Sequence, residues 1–150
     1  MQNIQDALVS FFEKDSWAFN LLEEPPLLQL PFRGENGSWT CVAQGRDDQE
    51  QFVFYSLCPV DAPEQRKAAV AEFLTRANYG LILGNFELDY EDGEIRYKTS
   101  IDVVNDRLSP ELIRNLVYTN VLVMDRYLPG IMKVIYGEVA PLDAVREIEG

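Results

Sequence analysis

A chain of 150 residues with 47% apolar and 11% aromatic side chains has enough material for one hydrophobic core, so a single domain over residues 1–150 is expected. Its 25 acidic against 13 basic side chains give a net charge of -12, which repels nucleic-acid backbones and anionic lipid alike. The absence of histidine removes the commonest general acid/base and the usual Ser/His and Cys/His pairs, and no apolar run approaches the ~18 residues of a membrane span.

The N-terminal region carries Asp6, Glu13 and Asp15 instead of a basic stretch before an apolar one, which points to a cytoplasmic location. Asn3 is placed to cap a first helix whose apolar stripe is Ile4, Leu8, Phe11 and Phe12. Trp17, Phe19 and Leu21 then alternate with polar or small residues, predicting a short extra strand that ends at Glu23-Glu24-Pro25-Pro26. Leu28, Leu30 and Phe32 alternate next, Gly34-Glu35-Asn36-Gly37 supplies a turn, and Trp39, Cys41 and Ala43 resume the alternation. After a polar reversal at Arg46 to Glu50, the strand Phe52 to Leu57 is apolar on both faces. Phe52 and Phe54 point one way, and Val53, Tyr55 and Leu57 point the other.

That reversal places Cys41 opposite Tyr55 or Ser56, away from Cys58, so a disulfide is disfavoured and both cysteines read as small apolar fillers. Two separated cysteines without histidine make no typical zinc site, and no glycine-rich phosphate loop occurs, so no metal and no cofactor is expected. Asp61 with Glu64 resembles a capping box, and Ala69, Val70, Phe73, Leu74 and Ala77 form the buried stripe of a helix that Asn78 and Gly80 end. Lys14, Lys67, Lys98 and Lys133 are expected to face water.

A hairpin follows, with Asp92-Gly93 suited to a two-residue turn. That turn pairs Tyr90 with Ile95, Asp89 with Arg96, Leu88 with Tyr97 and Glu87 with Lys98, which sorts the apolar residues onto one face. Glu87, Asp89, Glu91, Asp92 and Glu94 invite a metal or acid/base reading, but the cross-strand cations answer two of them and the others flank an exposed turn. Asp102, Asn105, Asp106 and Arg107 read as a solvated connection, with a ligand cleft as the alternative. Ser109-Pro110 opens a long helix with Leu112, Ile113, Leu116, Val117 and Val121 inward, and Pro129-Gly130 predicts a kink or break in it. Residues 142–149 leave a short helix and a tail as alternatives.

The order helix, strands, helix, hairpin, long helix gives an α+β fold, an antiparallel sheet with helices packed on it. The segment Phe73-Leu74-Thr75-Arg76-Ala77-Asn78-Tyr79-Gly80 with Phe86-Glu87-Leu88-Asp89, and the later Asp125, Tyr127 and Pro129, resembles the YbjN family. The resemblance implies an α-β-β-β-α-β-β-α core similar to type III secretion chaperones, with the extra N-terminal strand as a departure. It also implies a non-enzymatic adaptor or chaperone-like protein binder acting as a homodimer, and it transfers no catalytic residue. From the residues, the candidate partner contacts are Trp39, Val53, Tyr55 and Leu57. A small-ligand or metal-responsive sensor using the clustered carboxylates is the alternative.

Overall fold

In a computed structural model that describes residues 3–150, the chain forms α1 (Ile4–Lys14), β1 (Asn20–Glu23), β2 (Pro26–Arg33), β3 (Ser38–Arg46), β4 (Gln51–Leu57), α2 (Lys67–Gly80), β5 (Asn85–Leu88), β6 (Ile95–Asp102), α3 (Pro110–Tyr136) and α4 (Pro141–Glu149). The strands make one antiparallel sheet in the order β1-β2-β3-β4-β6-β5. This is the expected α+β arrangement, with the extra N-terminal strand at one edge. The helices gather on one face: α1 packs on β2 and β3, α3 on β4 and β6, and α2 on β5, while α4 lies against α2 and α3.

Each helix buries the stripe its spacing gives it. In α1, Ile4, Leu8, Phe11 and Phe12 are buried, and the helix start is tied down twice. The Asn3 carboxamide oxygen accepts from the Asp6 amide at 2.9 Å, and Asp47 Oδ1, from the turn after β3, accepts from the amides of Ile4 at 2.6 Å and Gln5 at 3.2 Å. Ser109 caps α3 by accepting from the Leu112 amide, with Pro110 in the first turn. On the sheet, Leu28, Leu30, Cys41, Ala43, Phe52, Phe54, Ile95 and Tyr97 point toward the helices and are fully buried. Cys41 pairs with Ser56, and both cysteines are free and buried.

Four local expectations change. The first strand lies at Asn20–Glu23, and Trp17 instead leaves it to stack on Phe32 with ring centroids 5.6 Å apart. Before α2 the chain makes a 3-10 turn at Glu64–Arg66 with no side-chain cap, so Asp61 does not cap the helix. Lys67 is buried, donating to Glu64 at 2.7 Å and to the Tyr90 carbonyl at 2.6 Å. Finally, α3 runs unbroken through Pro129. One missing amide is outweighed by the burial of Tyr127, Leu128, Ile131, Val134 and Ile135 on both sides of it.

The hairpin is also two residues out of its expected register. Phe86 pairs with Tyr97, Glu87 with Arg96 and Leu88 with Ile95, leaving a six-residue loop from Asp89 to Glu94. A two-residue slip preserves which face each side chain takes, so alternation cannot choose between the registers. Burial and turn bonding choose. Phe86 packs edge-on against Tyr97 and Tyr127, with centroids at 4.8 and 5.7 Å, whereas Tyr90 is left exposed. The loop is closed by Asp89 N–H to the Glu94 carbonyl and Gly93 N–H to the Asp89 carbonyl, and the Asp89 and Asp92 carboxylates accept from the Glu91 and Glu94 amides.

Gly93 has φ of +82° and lies so near the Ala62 backbone that an added Cβ would sit 2.2 Å from the Ala62 carbonyl oxygen. Gly93→Val is expected to lower the unfolding free energy by about 2 to 4 kcal/mol, from the left-handed backbone and the forced clash together. Urea denaturation measures it, and a loss below about 1 kcal/mol would contradict this account of the loop.

Candidate functional site

With the helices on one side, the other face of the sheet carries a short apolar strip between polar margins. One row of paired residues crosses all six strands: Asn20, Gln29, Val42, Tyr55, Lys98 and Asn85. The rows on either side contribute Gln44, Val53 and Ser100, and Thr40, Leu57, Arg96 and Glu87. Val53, Tyr55 and Leu57 therefore share this face with Val42. Tyr55 and Leu57 are half-buried, while Val53 is screened by its neighbours to 7% exposure.

Trp39 does not belong with them. It occupies the same parity in β3 as Cys41 and Ala43, points into the core at 6% exposure, and packs against Phe32 with centroids 5.2 Å apart. A side chain there cannot meet a partner across the open face, so the candidate patch is Val42, Val53, Tyr55 and Leu57. Cys41 is equally inert. Burial, only partly offset by hydrogen bonding, pushes its thiol up to about 12, and burial likewise pushes Cys58 up to about 11.

Ion pairing fixes the polar margin beside Tyr55. Glu87 on β5 receives Arg96 at 2.7 Å and Lys98 at 2.9 Å, and the Arg96 guanidinium lies over the Tyr55 ring, 4.2 Å from its centroid. Glu87 thus takes both cations that the expected register had divided with Asp89. Asp89 and Asp92 are engaged by their own loop, and among the described residues no three histidine, cysteine or acidic side chains come together to hold a metal ion.

A second surface escaped the sequence reading. Between α2 and β5, Tyr79 is 95% exposed and Ile82 92% exposed, with Leu83 beside them also exposed. The backbone beneath this apolar tip is held fast. Asn78 donates to and accepts from the main chain of Phe86, at 3.1 and 2.7 Å, and the Tyr97 hydroxyl donates to the Leu83 carbonyl. Gly84, at φ +78°, lets the chain pass so close to β6 that a Cβ would meet the Lys98 carbonyl oxygen at 2.3 Å. The signal was present in Leu81-Ile82-Leu83, an apolar run in a connection between two glycines where polar residues are usual. The tip leads into Asn85, two strands and about 10 Å from Tyr55 along one row of the sheet.

Comparison with known proteins places this architecture. A family model described as "YbjN: Putative bacterial sensory transduction regulator" matches residues 5–132. The chain belongs to the YbjN family. A crystal structure of YbjN, "a putative transcription regulator from E. coli", shares 13% sequence identity with it, covering 89% of this chain and 90% of that chain with a TM-score of 0.62, a likeness of fold. No curated protein matches the sequence. In this YbjN-family chain the matched span contains the sheet, the apolar tip and α3 through Met132, and among the described residues no helix is long and apolar enough to cross a membrane.

The Glu87 cluster gives the open face a pH dependence. Burial raises the Glu87 pKa, but hydrogen bonds and charge from Lys98 and Arg96 outweigh it and hold the carboxyl below its ordinary 4.5. A depressed folded-state pKa contributes stability that is complete above the unfolded value and is lost as pH falls through the folded one. Glu87→Gln is expected to flatten the part of the acid limb below about pH 4.5 while lowering stability at neutral pH. Thermal melts of both proteins across the acid range test this, and parallel curves would show that Glu87 is not coupled to folding.

Proposed function

We propose that this YbjN-family protein is a non-enzymatic regulatory adaptor that binds another polypeptide in the cytoplasm, as a single domain and as a homodimer. The observation that carries the reading is the apolar tip, because Tyr79 at the end of α2 and Ile82 in the connection after it are almost wholly exposed on a backbone that is already fixed. Large apolar side chains presented without an ordering cost favour association, since a partner gains their burial while little conformational entropy is lost. The open sheet face, with Tyr55 and Leu57 at its centre, supplies a second contact area for the partner or for the other subunit.

Charge supports a protein partner over direct contact with DNA. A chain at -12 repels a phosphate backbone as a whole, and the Arg96 and Lys98 on the open face are engaged by Glu87. A regulator of this kind acts through a polypeptide intermediary, in the manner of type III secretion chaperones, which hold other chains without catalysing a reaction on them.

Tagged protein recovered from its native cell and analysed by mass spectrometry identifies the partner. Ile82→Asp is expected to reduce recovery of that partner at least about tenfold with an unchanged melting temperature, because the side chain touches little of its own protein. Tyr55→Lys is expected to weaken self-association or capture, read by sedimentation velocity and by the same recovery. Equal recovery by wild type and both variants would overturn the reading.

A further inference from the structure

Between the C-terminal half of α1 and the start of α3 lies a pocket of about 340 Å³, lined by Ala7, Ser10, Phe11, Lys14, Asp15, Arg107, Leu108, Pro110, Ile113 and Arg114. Its floor is apolar: Phe11, Leu108 and Ile113 are 5%, 1% and 1% exposed, while Lys14, Arg107 and Arg114 are exposed at the rim. Three cations against the one carboxylate of Asp15 make this lining net positive in a protein that is net negative.

Asp15 offsets only part of that charge, through its ion pair with Arg114. Its Oδ2 accepts from Trp17 Nε1 at 2.8 Å and from the Tyr118 hydroxyl at 2.5 Å, and its Oδ1 is 3.5 Å from Arg114. The neighbouring Asp106 accepts from the Arg107 main-chain amide. Lys14 and Arg107 form no ion pair among the described residues, although the chain has nearly twice as many acids as bases with which to make one. Two cations without an ion pair among the described residues, at the mouth of a concave apolar floor in a pocket of small-ligand size, are complementary to a molecule with an acidic head and an apolar body.

We propose that this pocket binds a small amphipathic organic anion, its acid group between Lys14, Arg107 and Arg114 and its apolar part on Phe11, Leu108 and Ile113. The site is distinct from the tip and the open sheet face, and it stands whether or not those surfaces bind a protein. Because its walls belong to α1 and α3, a bound ligand joins the first helix to the long one at a point where Asp15 and Tyr118 already link them.

The test is a titration of the full, isotope-labelled chain with octanoate, followed by amide NMR, with octylamine and acetate as controls for charge sign and for the apolar body. Octanoate is expected to give saturable shifts confined to residues 10–15 and 107–114, and the two controls none. The surface double variant Lys14→Gln/Arg107→Gln is expected to bind octanoate at least about fivefold more weakly with its remaining spectrum unchanged. The proposal fails if octanoate gives no saturable shift, if octylamine matches it, if the shifts centre on Tyr79 to Leu83 or Tyr55, or if the variant loses less than that. Should the variant not fold, the wild-type octanoate affinity must fall with added salt while the shifts stay in the pocket, and a salt-independent affinity overturns the proposal.

Discussion

The fastening of α3 to the middle of the sheet governs the rest of the molecule. Asn120, fully buried, directs its side-chain amide at the main-chain carbonyls of Phe54 at 2.9 Å and Tyr97 at 3.1 Å, and the Thr99 hydroxyl donates to the Leu116 carbonyl at 3.0 Å. These bonds link one turn of α3 to two neighbouring strands, β4 and β6. Apolar packing alone would allow the helix to slide, since burial is non-directional. Polar bonds in a dry interior set its position along the strands, at the cost of leaving the Asn120 carbonyl oxygen without a partner among the described residues. Once α3 holds the centre of that face, α1 and α2 take the flanks, and the opposite face has no helix left to cover it.

Three of the abundant carboxylates are used in the same way, as acceptors at junctions for main-chain amides or side-chain donors. Asp47 ties the turn after β3 to the start of α1. Asp125 on α3, 9% exposed, accepts from the amides of Glu35 and Asn36 at 3.0 and 2.8 Å and so holds the β2–β3 turn against the long helix. Asp15 joins α1 to Trp17 and Tyr118. Burial and the bond to Asp15 both raise the pKa of the Tyr118 hydroxyl, consistent with its role as a neutral donor. Asp47 and Asp125 satisfy main-chain amides that a helix start or a turn leaves without an internal acceptor, and Asp15 satisfies two side-chain donors. The acidic residues that matter to the architecture are these partly or fully buried ones, whereas the conspicuous carboxylates of the hairpin loop mainly organise their own turn.

Much of this was legible in the sequence because side-chain periodicity reports faces. The stripe of α1, the inward Phe52 and Phe54, and the outward Tyr55 and Leu57 all follow from periods of two or about 3.6 residues, and of the two positions open opposite Cys41 the structure takes Ser56. The same property explains the errors. Parity fixes a strand only to within two residues, so the hairpin took the right faces in the wrong register, with Phe86 buried in place of Tyr90. Trp39 and Val53 lie on opposite faces, because Cys41, of the same parity as Trp39, pairs with Ser56, whose parity is opposite to that of Val53. Lys67 and the uninterrupted α3 depend on distant partners, the Tyr90 carbonyl in one case and the packing around Pro129 in the other, and local propensity carries no information about either. Exposure of Tyr79 and Ile82 is likewise a tertiary fact, since the same letters could have closed over a core.

The edges of the sheet bear on how a partner could bind. Both edge strands are short: β1 spans Asn20–Glu23 and β5 spans Asn85–Leu88, and β5 ends in a loop that turns back on itself. Brief edges give little backbone for strand addition, which limits uncontrolled pairing between molecules and also weakens any partner that relies on main-chain ladders. The apolar tip and the open face offer side chains instead. A partner that buries Ile82 and Tyr79 and reaches toward Tyr55 would meet the Glu87–Arg96–Lys98 group on the way. That group sets two cations against one carboxylate, a net charge of +1, so an acidic surface would gain more there than a basic one.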